Sequence, residues 1–183
     1  KKTLLSFYSI FLLICFQGFI GWYMVKSGLH DRTDVSHYRL SLHLTTAFLI
    51  FILLTLNYLK FKNYNYSISG KKLPLNLPLV FIFLILLQIS VGALVSGLDA
   101  GKIYQTWPLM NQNYFPDDSL IGDLITLKSF ETPSLVQFMH RNIAYFIVFI
   151  LLIMGTLVIK NNSFIHLRKA ILLVCVALLL QIF

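Results

Sequence analysis

Four long apolar runs, Leu4–Val25, Leu40–Leu59, Leu77–Leu98 and Val136–Ile159, decide what this chain can fold into. Each is long enough to cross about 30 Å of hydrocarbon as a helix rising about 1.5 Å per residue. Hydrophobic residues make up 57% of the sequence and charged ones 12%, with a mean hydropathy of +0.77, far from a soluble domain. The fold class is therefore an all-α integral membrane protein, a multi-helix transmembrane bundle with the lipid bilayer as its first partner. A fifth run, Ala170–Phe183, has 14 residues and is too short to span. The chain also begins with Lys1 rather than Met, so the sequence reads as an internal fragment.

Charge in the connecting segments sets an orientation. Lys1 and Lys2 precede the first run, four lysines and no acid lie between Lys60 and Lys72, and Lys160, Arg168 and Lys169 follow the fourth run. The segment from Asp99 to Gln137 carries five acidic residues against two lysines. By the positive-inside rule the basic segments face the cytoplasm or mitochondrial matrix, and 99–137 faces out. The net charge of +8 is thus topological, and nucleic acid is not an expected partner. The first run is a full span with no cleavage-type small residues after it, unlike a secretory signal. The outer segment is too long for a simple turn, and Tyr104, Trp107 and Tyr114 suit it to the headgroup region as amphipathic structure. Cys15 and Cys175 form no CxxC pair and read as buried packing residues.

The chain also repeats itself. Gln17 and Gly21, a closing Ser27-Gly28-Leu29 and then His43 in the next span are matched by Gln88, Gly92, Ser96-Gly97-Leu98 and His140. Leu179-Leu180-Gln181-Ile182 echoes Leu86-Leu87-Gln88-Ile89, as if a third copy were starting. A unit that places one membrane-embedded histidine per copy reads as a duplicated cofactor scaffold, because an intramembrane histidine is costly and usually functional. His30, His37 and His166 lie in polar connectors and read as solvated.

Around the two membrane histidines the neighbours suit a heme. Arg39 is one turn before His43, with Thr46 and Ala47 following on the same face, and Gln137, His140 and Ala144 form a comparable stripe with Arg141 adjacent. An imidazole can ligate heme iron, small residues can admit a flat macrocycle, and a guanidinium can pair with propionates. Other readings stay open at this point: interhelical hydrogen bonds for the histidines, interfacial snorkelling for the arginines, and simple helix packing for Gly21 and Gly92.

The stretches Gln17–Leu29, Tyr38–Leu44, Gly97–Gly101, Tyr104–Met110 and Val136–Arg141 resemble those of heme A synthases of the alphaproteobacterial and mitochondrial type. The similarity runs over nearly the whole chain. It implies an eight-helix enzyme of two similar four-helix halves that oxidises a methyl group of heme O to the formyl group of heme A for cytochrome oxidase. On this resemblance residues 1–59 are the second half of the N-terminal four-helix bundle and 60–78 a basic cytoplasmic connector. Residues 79–183 are then the first part of the C-terminal bundle, with the outer loop 99–137 and a truncated last helix.

His43 and His140 become axial ligands of heme iron, with Arg39 and Arg141 as cofactor-binding residues. The resemblance implies that His140 belongs to the half with the resident heme b and His43 to the half that receives heme O as substrate; the residues themselves do not assign these roles, since the two halves are too alike. The partner histidine of each, and the glutamate the family places near the reacting methyl, lie outside this sequence, so no catalytic residue is named. The resemblance further implies the bacterial inner membrane, or the mitochondrial inner membrane in a eukaryote. Heme O synthase and oxidase assembly factors are the implied partners, and the electron acceptor is unknown. Gln105 stands where the family commonly has Asn, and Glu131-Thr132-Pro133 where Glu-Asn is usual, which leaves the outer loop's contacts open. Two rival readings remain from the residues: a diheme b-type membrane cytochrome that only passes electrons, and a heme-free helical transporter or assembly factor.

Overall fold

The computed structural model describes residues 2–28, 35–62 and 73–182. The expectations for Leu29, for His30 and for most of the basic connector fall on residues 29–34 and 63–72, outside the described residues. The chain forms α1 (Lys2–Gly28), α2 (His37–Phe61), α3 (Leu77–Gly97), α4 (Pro133–Lys160) and α5 (Arg168–Ile182), with short 3-10 turns between them. Among the described residues the one β pairing is an isolated bridge between Met110 and Asn113. Helix is the form such apolar runs must take in lipid, since it satisfies every backbone N–H and C=O within the segment. Five segments are long and apolar enough to cross a membrane, the last being Asn162–Gln181. The protein is an all-helical, multi-pass membrane protein.

That fifth segment corrects the sequence expectation of a run too short to span. A 3-10 stretch over Asn162–Leu167 leads directly into α5, and its Phe164, Ile165 and Leu167 lengthen the apolar segment. The basic pair Arg168 and Lys169 opens the α-helical part of this segment and does not end the apolar stretch, which runs through it from Asn162 to Gln181. His37, expected in a polar connector, instead opens α2. Cys15, expected to be buried, is exposed on α1, and Cys175 is partly buried; both are free thiols.

The chain divides into two compact units, to both of which α3 and α4 contribute. The first holds Lys1–Tyr64 and Leu86–Asn142. Within it α1 and α2 run antiparallel, as successive cross-links show. Ser6 Oγ donates to Asn57 Oδ1 (2.9 Å) near one end, Gln17 meets His43 midway, and Arg39 reaches Tyr23 near the other. Helix α2 runs antiparallel to this part of α3, with Ser41 Oγ donating to the Ser90 carbonyl (2.8 Å) and Gly97 against His37. Small residues and hydroxyls at such crossings are how membrane helices associate, because lipid offers no hydrophobic drive between them.

The second unit holds Asn65–Ile85 and Ile143–Phe183. Ile147, Leu151, Met154 and Val158 recur at helical spacing on α4 and bury against Leu77, Phe81, Phe164 and Ile171. The turn into α5 is closed by Asn161, whose side chain accepts from the Ser163 N–H (2.9 Å), and by Arg168, which donates to the Ile159 carbonyl (3.1 Å).

Between α3 and α4 the connecting segment carries three 3-10 turns (Ala100–Lys102, Ile121–Ile125, Leu127–Phe130). Helix α3 ends where Asp99 takes a left-handed conformation (φ 51°), which a short acidic side chain tolerates. Trp107 is 74% exposed, as a headgroup-facing indole should be, but Tyr104 is only 3% exposed and lies inside the loop.

Candidate functional site

The repeated residues come together twice. In the first copy Gln17 and Gly21 lie one turn apart on α1 and face His43 of α2. The Gln17 amide nitrogen is 3.2 Å from His43 Nε2 and donates to the His43 carbonyl at 3.0 Å. A Cβ placed on Gly21 would stand 3.1 Å from His43 Cε1, 3.6 Å from Nδ1 and 3.9 Å from Nε2, so the ring presents its Cε1 edge to the α1 backbone. In the second copy the Gln88 amide nitrogen is 3.0 Å from His140 Nε2. A Cβ on Gly92 would stand 3.0 Å from His140 Cε1 and 3.6 Å from Nδ1.

An amide nitrogen only donates, so in each pair the imidazole Nε2 accepts with its lone pair and Nδ1 carries the hydrogen. The Nδ1 atoms of both histidines and the Oε1 atoms of both glutamines are buried without a hydrogen-bond partner. Such orphans are uncommon inside a protein and mark arrangements completed by something else or held for function. Sequence inspection had found the Gln and Gly spacing but not that the amide bonds the imidazole, because that depends on how the helices pair.

Arg39 and Arg141 take different positions. The Arg39 guanidinium lies over the Tyr23 ring, 4.5 Å from its centroid, with Nη2 3.5 Å from the Tyr23 hydroxyl, and Tyr23 stacks on Phe19. Arg141 is turned to the loop between α3 and α4. Its Nη2 donates to the Tyr104 carbonyl (2.7 Å), and its Nη1 to the carbonyls of Thr106 (2.8 Å) and Leu109 (3.4 Å). Gln137, buried one turn before, donates to the same Tyr104 carbonyl at 2.9 Å. Among the described residues these bonds use three of the five N–H groups of the Arg141 guanidinium, leaving its Nε–H and one Nη2 hydrogen.

The loop so fastened has its own internal bonds. Tyr104 donates its hydroxyl to Asp117, and burial first, then this bond, pushes the phenol up to about 12. The same bond holds the Asp117 carboxyl below its ordinary value. Tyr114 donates to Asn142 (2.6 Å), and Tyr114 and Phe115 both pack edge-on against Phe138. Glu131 is exposed and accepts from Tyr38 at 3.4 Å.

The donor set fits a heme. Each site offers one imidazole at membrane depth, a glycine where any larger residue would displace the ring, and an arginine on the histidine's own helix. Among the described residues no three His, Cys, Asp or Glu side chains converge as a bare metal ion would require. A single imidazole suits a metal already held by a macrocycle.

Fold and site together define a membrane protein built on a duplicated histidine-bearing helix pair. All 183 residues match the family model described as cytochrome oxidase assembly protein, and the chain belongs to that family. It is similar to the heme A synthases of Pelagibacter ubique (47% identity, covering 100% of the chain and 54% of the relative) and Rickettsia bellii (42%, 100% and 54%). The heme A synthase of Bartonella henselae is 40% identical over 99% of the chain and 51% of its own length. The chain spans about half the length of the curated relatives it matches. No solved structure matches it.

Proposed function

We propose that the chain works within a heme A synthase, which oxidises a methyl group of heme O to a formyl group and so supplies heme A for cytochrome oxidase. The observation that carries this reading is the pair of equivalent Gln–Gly–His arrangements, seen in a chain whose relatives are named heme A synthases. Bound heme supplies redox chemistry: a bis-histidine heme has no open iron position and suits electron transfer, while a second porphyrin is the molecule oxidised.

The chain's own residues bind and orient. His140 is the proposed axial ligand for a resident heme b, and His43 for heme O. Gly92 and Gly21 let each imidazole seat against the neighbouring helix. Arg39 would pair with propionates at the membrane surface. Arg141 contributes its remaining N–H groups and fixes the outer loop beside His140, which favours retention of a cofactor there. The two four-helix halves, the boundaries at residues 59 and 78, and residence in a bacterial inner or mitochondrial inner membrane belong to the same proposal. Oxidase assembly factors and heme O synthase are its natural partners.

The test is pigment analysis. Cells that make heme O and express the complete gene should yield heme A on extraction and chromatography of the porphyrins, together with protein-bound heme b. Heme b without heme A would instead identify an electron-passing cytochrome, and purified protein with no heme absorbance a transporter or assembly factor.

A further inference from the structure

We infer that Gln17 and Gln88 are displaceable caps on the ligating nitrogens of His43 and His140, so that heme entry at each site requires the amide to release the imidazole. The inference rests on the heme reading above and deepens it. It begins from which nitrogen iron can reach. On each ring it is Cε1 that turns toward the glycine of the neighbouring helix, with Nδ1 3.6 Å from a Cβ there and, for His43, Nε2 at 3.9 Å. Of the two nitrogens Nδ1 adjoins the side chain's own Cβ and backbone, so the one open to an approaching iron is Nε2, the distal atom. That atom has one lone pair, and in both copies it accepts from a glutamine amide, at 3.2 Å and 3.0 Å. The amide and the iron cannot share it.

The cap accounts for the orphans as well. With the amide on Nε2, the hydrogen sits on Nδ1 and finds no acceptor, while the glutamine Oε1 finds no donor. The Nδ1 hydrogens stay unpaired whether amide or iron holds Nε2, but the two glutamine Oε1 atoms are left unpaired by the capped geometry itself, and a glutamine that releases the ring is free to satisfy them. The copies differ in what the amide keeps afterwards. Gln17 retains its bond to the His43 carbonyl (3.0 Å), whereas among the described residues Gln88 makes no second bond. Gln17 is thus the more firmly held cap of the two. Without a cap the imidazole would pair with whatever polar group came first, so the amide keeps each Nε2 unprotonated and ready to ligate.

The expected sign is opposite to that for a residue that helps hold heme. In full-length protein stripped of heme and kept in detergent, Gln88→Leu should bind added hemin about fivefold more tightly than wild type, the fold-change of one ordinary hydrogen bond that no longer competes. Gln88→Met should behave the same way, which guards against a packing fault specific to leucine. Helix content and monodispersity should match wild type in both. Nitrogen NMR of labelled histidine in the ligand-free protein should show Nε2 as a hydrogen-bonded, unprotonated acceptor, with that signature lost in the variants. Unchanged or weakened hemin binding in both folded variants, with His140→Ala showing loss of a site, would overturn the cap. If His140→Ala bound hemin as wild type does, the heme reading itself would fail.

Discussion

Gly97 and His37 meet as closely as two helices can: a Cβ added at Gly97 would stand 2.7 Å from His37 Cβ and 2.8 Å from its Cα. The nearest atoms are backbone and Cβ rather than the tip of a flexible side chain, so the helices themselves must part to make room. Gly97→Ala should therefore destabilise the protein by about 1–3 kcal/mol, the usual cost of overpacking. Denaturation in detergent should show it, with Gly18→Ala as the control. Nothing lies within 4 Å of a Cβ at Gly18, and alanine there should be neutral or stabilising by up to about 1 kcal/mol.

The seats beneath the histidines make a sharper test. A Cβ at Gly92 would press on His140 Cε1 at 3.0 Å, and valine adds two methyls to it. Gly92→Val should lower heme retention at the His140 site and leave the His43 site intact, with Gly21→Val doing the reverse. Heme-to-protein ratio in the purified variants reads this out. Full retention in both variants would mean that the ring does not use the glycine as its seat.

Arg141 should govern the outer loop. Its three bonds run from a charged group to loop carbonyls, and such bonds contribute about 1.5–3 kcal/mol when the charge is well paired, less here because the group is partly exposed. Arg141→Ala should speed proteolysis of the loop between residues 99 and 132, and Arg141→Lys should not restore it, since an ammonium lacks the planar fork. Lys102→Ala should be silent, because Lys102 pairs only with Asp99 in an exposed bridge. Equal cleavage rates in Arg141→Ala and Lys102→Ala would count against this.

The loop should also have an alkaline limit. Tyr104 has a folded pKa of about 12, above the roughly 10 of an unfolded tyrosine, so folding favours its protonated form. The stability this lends is full below about pH 10 and is lost as pH rises through about 12. Asp117 has the opposite sign: its lowered pKa adds stability above the ordinary carboxylate range that disappears in acid. A tyrosinate absorbance titration of wild type minus Tyr104→Phe should show one phenol with a midpoint near 12. A midpoint near 10 would mean the hydroxyl is neither buried nor bonded.

Apolar runs made most of the helical architecture legible in advance, because a membrane span needs only length and hydropathy. The miss at α5 has the same origin: Arg168 and Lys169 looked like an end, but a basic pair can sit within a helical segment that begins at Asn162. Cys15 was misjudged because an apolar residue in a span can face lipid as readily as protein. At the site, the repeat exposed Gln17, Gln88, Gly21, Gly92 and both histidines through spacing alone. What spacing could not show was contact. Arg141 bonds three backbone carbonyls, groups that every residue carries and no sequence pattern marks. Tyr104 looked interfacial by type but is buried by a partner, Asp117, thirteen residues along a loop whose turns follow no period.

His43 and His140 should ligate different irons. Two histidines on one bis-histidine heme must bring their nitrogens to on the order of 4 Å apart across the ring, each pointing at the other. Here each imidazole tip is turned onto the helix beside it and bonds that pair's own glutamine, His43 with Gln17 of α1 and His140 with Gln88 of α3. On the proposed function each copy would therefore supply one ligand to a site of its own. In the complete enzyme His140→Ala should abolish the resident heme while leaving a site that still takes up heme O, and His43→Ala should retain the resident heme while losing heme O uptake. Bound heme b and heme O uptake, measured separately in each purified variant, distinguish the two. Simultaneous loss of both in either single variant that remains folded would point to one shared site.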